Sequence, residues 1–147
     1  MANEMAGTGA TIVSDNTDFP PALNLISIEG PEASRDTIDL SHDTVADSAK
    51  HFAAQRNVDG GEVEVTVVMD SAQQTKIYGI LYAGSKDTYT INFPLPEGSS
   101  AGDTNLSFEF NGIITNIGVS IPTDDKIEQT FTLKVSGKIT VTDYASD

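Results

Sequence analysis

Glu62-Val63-Glu64-Val65-Thr66-Val67-Val68-Met69 is the stretch of this sequence that decides the fold. Successive side chains of an extended strand point to opposite faces, so the valines at positions 63, 65 and 67 share one side. The other side carries Glu62, Glu64 and Thr66. A strand with one apolar and one charged face is typical of an antiparallel sheet that is solvated on one side.

Further segments on both sides of this stretch also predict strands, because short apolar or alternating runs end at glycine, proline or asparagine. Asn111-Gly112 lies between two such runs and predicts a tight hairpin turn, since asparagine and glycine tolerate the positive φ angles of that turn. The predicted strands are 23–28, 36–41, 62–69, 87–93, 106–110, 113–121, 131–135 and 139–141.

One helix is predicted over residues 70–83. Asp70 can cap its first turn, with Gln73 three residues later in the position of a capping box. Ile77, Ile80 and Leu81 recur at helical spacing and form one apolar face. Gly84 then supplies the residue type that commonly ends a helix.

The chain of 147 residues is expected to form one domain. Residues 1–22 are small and polar and predict a flexible N-terminal arm, which leaves 23–147 as a single β domain. Residues 42–61 form a long interior loop that ends at Asp59-Gly60-Gly61. The predicted fold class is mainly β: an antiparallel sandwich or barrel with one flanking helix and this long loop.

The charge balance limits the possible functions. Eight Lys and Arg residues stand against 22 Asp and Glu residues, giving a net charge of −14. Affinity for DNA comes largely from cations at phosphates, so a sequence-reading DNA binder is disfavoured. The chain has no cysteine, shows no signal peptide and has no apolar run that could span a bilayer. We expect a product that is made and assembled in the cytoplasm without membrane insertion.

No residue pattern predicts catalysis, a cofactor or a metal site. Ser41-His42-Asp43 has the residue types of a hydrolase triad, but consecutive residues cannot form the relay. His42 and His51 lack the spacing of a zinc site. The Glu62 and Glu64 pair could suggest a glycosidase, although a solvated strand face is the simpler interpretation. A calcium site could be suggested by Asp15, Asp18, Asp124 and Asp125. These residues lack the ligand pattern of an EF-hand, so a solvated acidic turn is the simpler interpretation.

Three segments in order resemble the tail tube proteins of long-tailed, flexible-tail bacteriophages. The first, Gly30–Ser41, reads GPEASRDTIDLS and is similar to the strand pair and loop entry of that family. The second, Asp59–Thr66, reads DGGEVEVT and resembles the loop exit and following strand. The third, Thr132–Thr140, reads TLKVSGKIT and resembles the closing strands. The type VI secretion tube protein is similar in fold.

The resemblance implies a structural protein of the virion that forms homo-hexameric rings. The rings would stack into a tube around a tape-measure protein, with baseplate and tail-terminator proteins at the ends, and would pass DNA to the host. It also implies that sheets of neighbouring subunits join around the lumen, while the long loop and the arm bridge rings.

Two sets of residues are candidates within that picture. Glu62, Glu64 and Thr66 are hypothesised to face the lumen, with outer solvent as the alternative. Acidic subunits need cations at their contacts, because facing like charges are costly. The candidates for ring or inter-ring contacts are therefore Arg35, Lys50 and Arg56, with ordinary surface charges as the alternative.

A β-sandwich module that binds carbohydrate or a host surface is the alternative function. Such modules often present exposed aromatic side chains in a groove. This chain has no tryptophan, and most of its Phe and Tyr residues fall on the apolar faces of predicted strands. A binding module would stay monomeric, whereas a tube subunit would form rings or filaments.

Overall fold

The computed structural model describes residues 9–21, 23–40, 49–100 and 102–146. In these ranges the chain forms eight strands and one helix, α1 (Gln74–Ala83). The strands are β1 (Thr11–Ser14), β2 (Leu25–Glu29), β3 (Thr37–Asp39), β4 (Phe52–Ala54), β5 (Glu62–Val68), β6 (Lys86–Asn92), β7 (Ser107–Ser120) and β8 (Glu128–Thr142). The prediction of a mainly β, antiparallel domain with one helix is confirmed.

Six strands form one antiparallel sheet in the order β1-β6-β7-β8-β5-β2, and β3 pairs with β4 separately. The long strands β7 and β8 lie in the middle of this order. They join one half of the sheet, which contains β1 and β6, to the other half, which contains β5 and β2. Their pairing shifts register between Glu109 and Asn111 and again between Ile114 and Asn116. Such bulges bend a sheet and increase its twist, and this sheet curls into a half-barrel.

The core lies on one face of the curled sheet. Val63, Val65 and Val67 are buried there, as their alternation predicts. The ring of Phe19 lies 5.3 Å from that of Tyr89 on β6 and 6.5 Å from that of Phe131 on β8. Phe19 therefore joins both halves of the sheet through aromatic packing.

Helix α1 covers this core with Ile77 and Ile80, both buried. It begins at Gln74, four residues later than predicted, because the Asp70 carboxylate accepts a hydrogen bond from Ala72 N–H (2.9 Å) in a turn that precedes the helix. Gly84 ends the helix in the left-handed conformation, as predicted. The side-chain amides of Gln74 and buried Gln129 exchange hydrogen bonds of 3.2 and 2.7 Å, which fixes α1 on β8.

The hairpin turn predicted at Asn111-Gly112 is wrong. These two residues continue β7, which pairs with β6 on one side and β8 on the other. A Cβ atom at Gly112 would lie 3.3 Å from the rings of both Tyr89 and Phe110, so the glycine gives those rings room to pack. The glycine serves side-chain packing here and not a turn.

The structure also differs from the prediction at the start of the chain and in the long loop. Thr11–Ser14 forms an edge strand of the sheet and Phe19 is part of the core, so described residues of the predicted arm belong to the folded domain. Within the predicted loop, Phe52–Ala54 forms β4. Residues 1–8 and 41–48 lie outside the described residues, so the arm remains a prediction for residues 1–8.

Candidate assembly surfaces

The three residues proposed for the lumen share the solvated face of the sheet. Glu62 and Glu64 are exposed and Thr66 is half-buried. Each lies opposite a polar residue of β8: Glu62 faces Lys134, Glu64 faces Thr132 and Thr66 faces Thr130. The hydroxyl oxygens of Thr66 and Thr130 are 3.4 Å apart. The structure thus brings the three into one polar surface, and their facing a lumen stays a prediction.

The solvated face is mostly neutral and polar across the whole sheet. Register places threonine, serine and asparagine over most of it, with no aromatic side chain from the six strands. The charged side chains that register places on this face are five glutamates and two lysines, which leaves it acidic. These are Glu29, Glu62, Glu64, Glu109, Glu128, Lys86 and Lys134. Exposed Lys138 lies at the register shift of β8, between Ser136 and Thr140.

Both edges of the sheet are open among the described residues. β1 pairs only with β6, and β2 pairs only with β5. An edge strand presents unpaired backbone N–H and C=O groups, which are a template for pairing with another chain. The two edges are short, and β2 contains a register shift between Leu25 and Ser27. The chain therefore has two different open edges on opposite sides of one sheet.

The described parts of the segment between β2 and β5, residues 31–40 and 49–61, form a second candidate surface that we name the ribbon. Its two segments pair with each other, from the Ser34–Asp59 bridge at the base to the β3–β4 pair further out. Beyond β3, Leu40 N–H donates to the His51 carbonyl (2.7 Å). The exposed large apolar residues of the ribbon are Ile38, Leu40, Phe52 and Val58.

The three cations proposed for subunit contacts all lie on the ribbon. Arg35 follows the base, while Lys50 and Arg56 flank β4, and all three are exposed. They share one element, which is separate from the sheet that carries the lumen candidates. Their contact with another subunit stays a prediction.

The base of the ribbon has defined electrostatics. Asp59 Oδ1 accepts a hydrogen bond from Gly61 N–H (2.8 Å) and lies 3.6 Å from Lys134 Nζ. The backbone hydrogen bond from Gly61, followed by the charge of Lys134, lowers the pKa of Asp59 below its ordinary value of 3.8. Both groups of the ion pair are exposed, so it contributes little to global stability. Its effect is local.

The Asp59 contact predicts a pH-dependent ribbon base. A carboxylate with a lowered pKa in the folded state stabilises the fold above its unfolded pKa, and this contribution is lost as pH falls through the folded pKa. We therefore expect the protection of the Gly61 amide proton against exchange, after correction for the intrinsic exchange rate at each pH, to decrease as pH falls below 3.8. NMR hydrogen exchange measures this. Asp59→Asn should remove the pH step, and a step that persists in that variant would assign it to another group.

The β7–β8 turn forms a third surface, of which the sequence singled out only Asp124 and Asp125, as candidate calcium ligands. We name it the turn patch: Val119, Ile121 and Ile127 with Asp124 and Asp125. Ile121 is 71% exposed, and Ile127 lies across the turn from it, next to the Ser120–Glu128 pair. The predicted strand 113–121 contained Ile121, but alternation alone could not show that β7 extends past its covered part.

The other residues considered from the sequence form no metal site where the structure describes them. No three His, Asp or Glu side chains in the described ranges could together hold a metal ion. His51 lies on the ribbon, and Ser41-His42-Asp43 falls outside the described residues. No described helix is long and apolar enough to cross a membrane.

Comparison with known proteins gives structural matches only. No family model and no curated protein sequence matches the chain. A chain of the anti-feeding prophage tube-terminating cap matches with a TM-score of 0.73 and 12% identity, covering 97% of this chain and 93% of that chain.

Two further structures match over nearly all of this chain. The tail of an empty gene transfer agent particle, computed with helical refinement and C6 symmetry, has a TM-score of 0.67 at 13% identity and covers 95% of this chain and 99% of that chain. The SPP1 tail tube has a TM-score of 0.63 at 12% identity, with coverages of 98% and 80%. The protein has the fold of a tail tube protein.

Proposed function

We propose that this protein is the structural subunit of a phage-type tail tube, without catalytic activity, in which hexameric rings stack to form a conduit for DNA. The observation that carries the proposal is the curled sheet with one face filled by its own core, one polar face and two open edges. A monomer leaves the edges unpaired, whereas a ring would pair each of them.

Ring formation follows from the difference between the two edges. The outer edge of β1 in one subunit would pair with the outer edge of β2 in the next. Such a head-to-tail contact between unlike surfaces closes into a ring when the rotation per subunit permits. Six subunits are supported by the C6 symmetry of the gene transfer agent tail, which shares the fold.

The polar face of the sheet would then line the lumen. Its threonine, serine and asparagine side chains and its glutamates, among them Glu62 and Glu64, give passing DNA no cluster of cations to bind. This assignment is supported by the mostly polar side chains that the described strands place on that face and by the continuity that the sheet would have across subunits. In this arrangement α1 lies on the far side of the sheet from the lumen.

The partners follow from a tube of limited length. A baseplate protein would start the tube, a tape-measure protein would set its length and a terminator would close it. The match to a chain in the anti-feeding prophage tube-terminating cap supports the terminator. The location would be the virion tail, after assembly in the cytoplasm of the host bacterium.

Electron microscopy of the purified protein tests the proposal. Negative-stain images over a range of concentrations should show rings or hollow tubes, and image averages should show six-fold symmetry. Small monomeric particles at every concentration, also after addition of preformed tail-tip complexes, would contradict it. That result would favour the carbohydrate- or host-binding module.

Charge reversal at Arg56 is expected to weaken ring stacking. Arg56→Glu places a further carboxylate on the ribbon of an already acidic subunit, and like charges across an interface are costly. A loss of about 1.4 kcal/mol corresponds to a tenfold rise in the concentration at which tubes form. Lys76→Glu, on the exposed surface of α1, makes the same charge change and should leave assembly unchanged. Tubes of normal length at normal concentration for Arg56→Glu would refute the assignment.

A further inference from the structure

Asn111-Gly112 is the one Asn-Gly sequence of the chain, and it lies within a strand and not in a turn. In an unfolded chain this sequence is prone to deamidation, because glycine has no side chain that hinders the approach of its nitrogen to the asparagine side chain. The Gly112 nitrogen attacks Cγ of Asn111 and loses its proton, which leaves with the side-chain amide as ammonia. Water then opens the resulting succinimide at either carbonyl and gives aspartate or isoaspartate.

The sheet holds this pair in a conformation that cannot close the succinimide ring. Asn111 and Gly112 lie in the middle of β7, with β6 paired on one side and β8 on the other. Ring closure requires Cβ of Asn111 to eclipse the Gly112 nitrogen about the Cα–C bond, which the extended backbone, with ψ of about +135°, does not allow. Rotation of that bond would break the pairing on both sides of β7.

The surroundings of the pair also oppose a local rearrangement. Asn111 is exposed on the solvated face, where its Oδ1 accepts a hydrogen bond from Thr88 Oγ1 (3.0 Å). Gly112 is buried, and a Cβ atom there would lie 3.3 Å from the rings of both Tyr89 and Phe110, so the backbone has little room to move. Solvent therefore reaches the asparagine side chain, but the reaction needs the sheet to open.

The two products of deamidation have different effects on the sheet. Aspartate keeps the length of the main chain and adds one carboxylate to the solvated face, two residues from Glu109. Isoaspartate carries the main chain through its Cβ atom, so one extra carbon separates position 111 from Gly112. This carbon shifts Gly112 out of register with β6 and β8 together, at the place where two aromatic rings leave no space.

We propose that Asn111-Gly112 is a deamidation site that is closed in the folded protein and opens when the sheet unfolds. The isoaspartyl product cannot return to the native sheet, so the reaction irreversibly marks chains that have been unfolded. The only reactant besides the chain is water. This inference does not depend on the proposed tube function, because it concerns the folded subunit alone.

Mass spectrometry of the full chain tests the proposal. Trypsin cleaves after Lys86 and Lys126 and releases one peptide with three further asparagines, which are followed by bulky residues and serve as internal controls. In urea at mildly alkaline pH, Asn111 should deamidate before these three, and at least about a hundredfold faster than in the folded protein at the same pH. Equal rates in both states, or equal rates for all four asparagines in urea, would overturn the proposal. The three control positions are Asn92, Asn105 and Asn116.

The variant Thr88→Val distinguishes the sheet from the side-chain hydrogen bond as the source of protection. It removes the hydrogen bond to Asn111 and keeps the strand pairing, so deamidation of the folded variant should stay as slow as in the wild-type protein. Deamidation of folded Thr88→Val at the rate seen in urea would overturn the protective role of the sheet.

Refolding of urea-aged protein tests the fate of the two products. After dilution of the urea, labelling by an isoaspartyl methyltransferase should find isoaspartate at position 111 in the aggregated fraction and not in the folded fraction. Asn111→Asp is the matched control, because it has the charge of the aspartyl product without the longer main chain, and it should refold like the wild-type protein. Isoaspartate at position 111 in the folded fraction, or failure of Asn111→Asp to refold, would contradict exclusion by the extra carbon.

Discussion

Replacing Gly61 by alanine is expected to lower the free energy of unfolding by about 2–4 kcal/mol. Gly61 has a φ angle of +71°, and a Cβ atom there would lie 2.6 Å from the backbone carbonyl oxygen of Glu32. Neither the strain of the positive φ angle nor the steric clash can relax easily, because the Gly61 carbonyl oxygen also accepts a hydrogen bond from Val135 N–H (3.0 Å). Urea denaturation followed by circular dichroism measures the change.

Alanine variants at two other glycines distinguish the strain of the positive φ angle from the steric clash as the cause of the lost stability. Gly137 has a φ angle of +86°, but no atom lies within 4 Å of the place that a Cβ atom would take, so Gly137→Ala should cost only the conformational strain, about 1–2 kcal/mol. Gly118 has an ordinary φ angle and the same open space, so Gly118→Ala should be neutral or slightly stabilising. Equal losses at positions 61 and 137 would show that the carbonyl of Glu32 can move aside.

Gly30 and Gly60 extend the same restriction across the base of the ribbon. A Cβ atom at Gly30 would collide with the carbonyl oxygen of Glu62, and one at Gly60 with Val135 Cγ1. The two segments of the ribbon therefore meet the sheet at closely packed backbone contacts, which fix where the ribbon starts relative to β5.

The double variant Glu62→Lys with Glu64→Lys is expected to convert the tube into one that retains DNA. The change adds two cations per subunit to the polar face, and every subunit of a ring would repeat it. With six to ten phosphate contacts, DNA affinity falls roughly a thousandfold or more between about 50 and 200 mM salt. Variant tubes should therefore hold DNA at low salt and release it at high salt, while wild-type tubes hold none.

Neutral substitutions provide the matched control for this experiment. Glu62→Gln with Glu64→Gln removes the carboxylates without adding cations and should leave DNA passage close to normal. Both positions are exposed, although Glu62→Lys faces Lys134 across the ladder and should lower stability by up to about 1 kcal/mol. DNA ejection at the wild-type rate by intact lysine-variant particles would show that this face does not line the lumen.

The sequence predicted the parts of the fold whose signal is local. The alternation in Glu62–Val68 indicated β5 and its two faces correctly, and Ile77, Ile80 and Gly84 indicated the helix face and its end. These features depend on the period of the side chains and on the left-handed glycine, both of which are visible without knowledge of distant partners.

The parts that the sequence did not predict depend on distant partners. Thr11–Ser14 is a strand because β6, more than seventy residues later, supplies its ladder. Asn111-Gly112 stays extended because strands pair with it on both sides and two aromatic rings pack at the glycine. The predicted and observed strand counts agree only because two merged pairs offset two missed strands.

The sequence predicted those candidate surfaces that a local pattern defines and missed the one that depends on distant partners. Glu62, Glu64 and Thr66 share a face by simple alternation, so the sequence grouped them. The grouping of Arg35, Lys50 and Arg56 on one element rested on their nearness to the loop, and the structure places all three on the ribbon. The turn patch needed the register of β7 against β8, which no local pattern contains.

The continuity of β7 and β8 has a consequence for how the domain unfolds. The first half of β7 pairs with β6, and the first half of β8 pairs with β5, while the two long strands pair with each other along most of their length. No seam divides the sheet, so one half cannot open while the other stays closed. We expect amide protons in the middle of β5 and of β6 to exchange with the same free energy, equal to that of global unfolding, which makes the whole sheet a single cooperative unit.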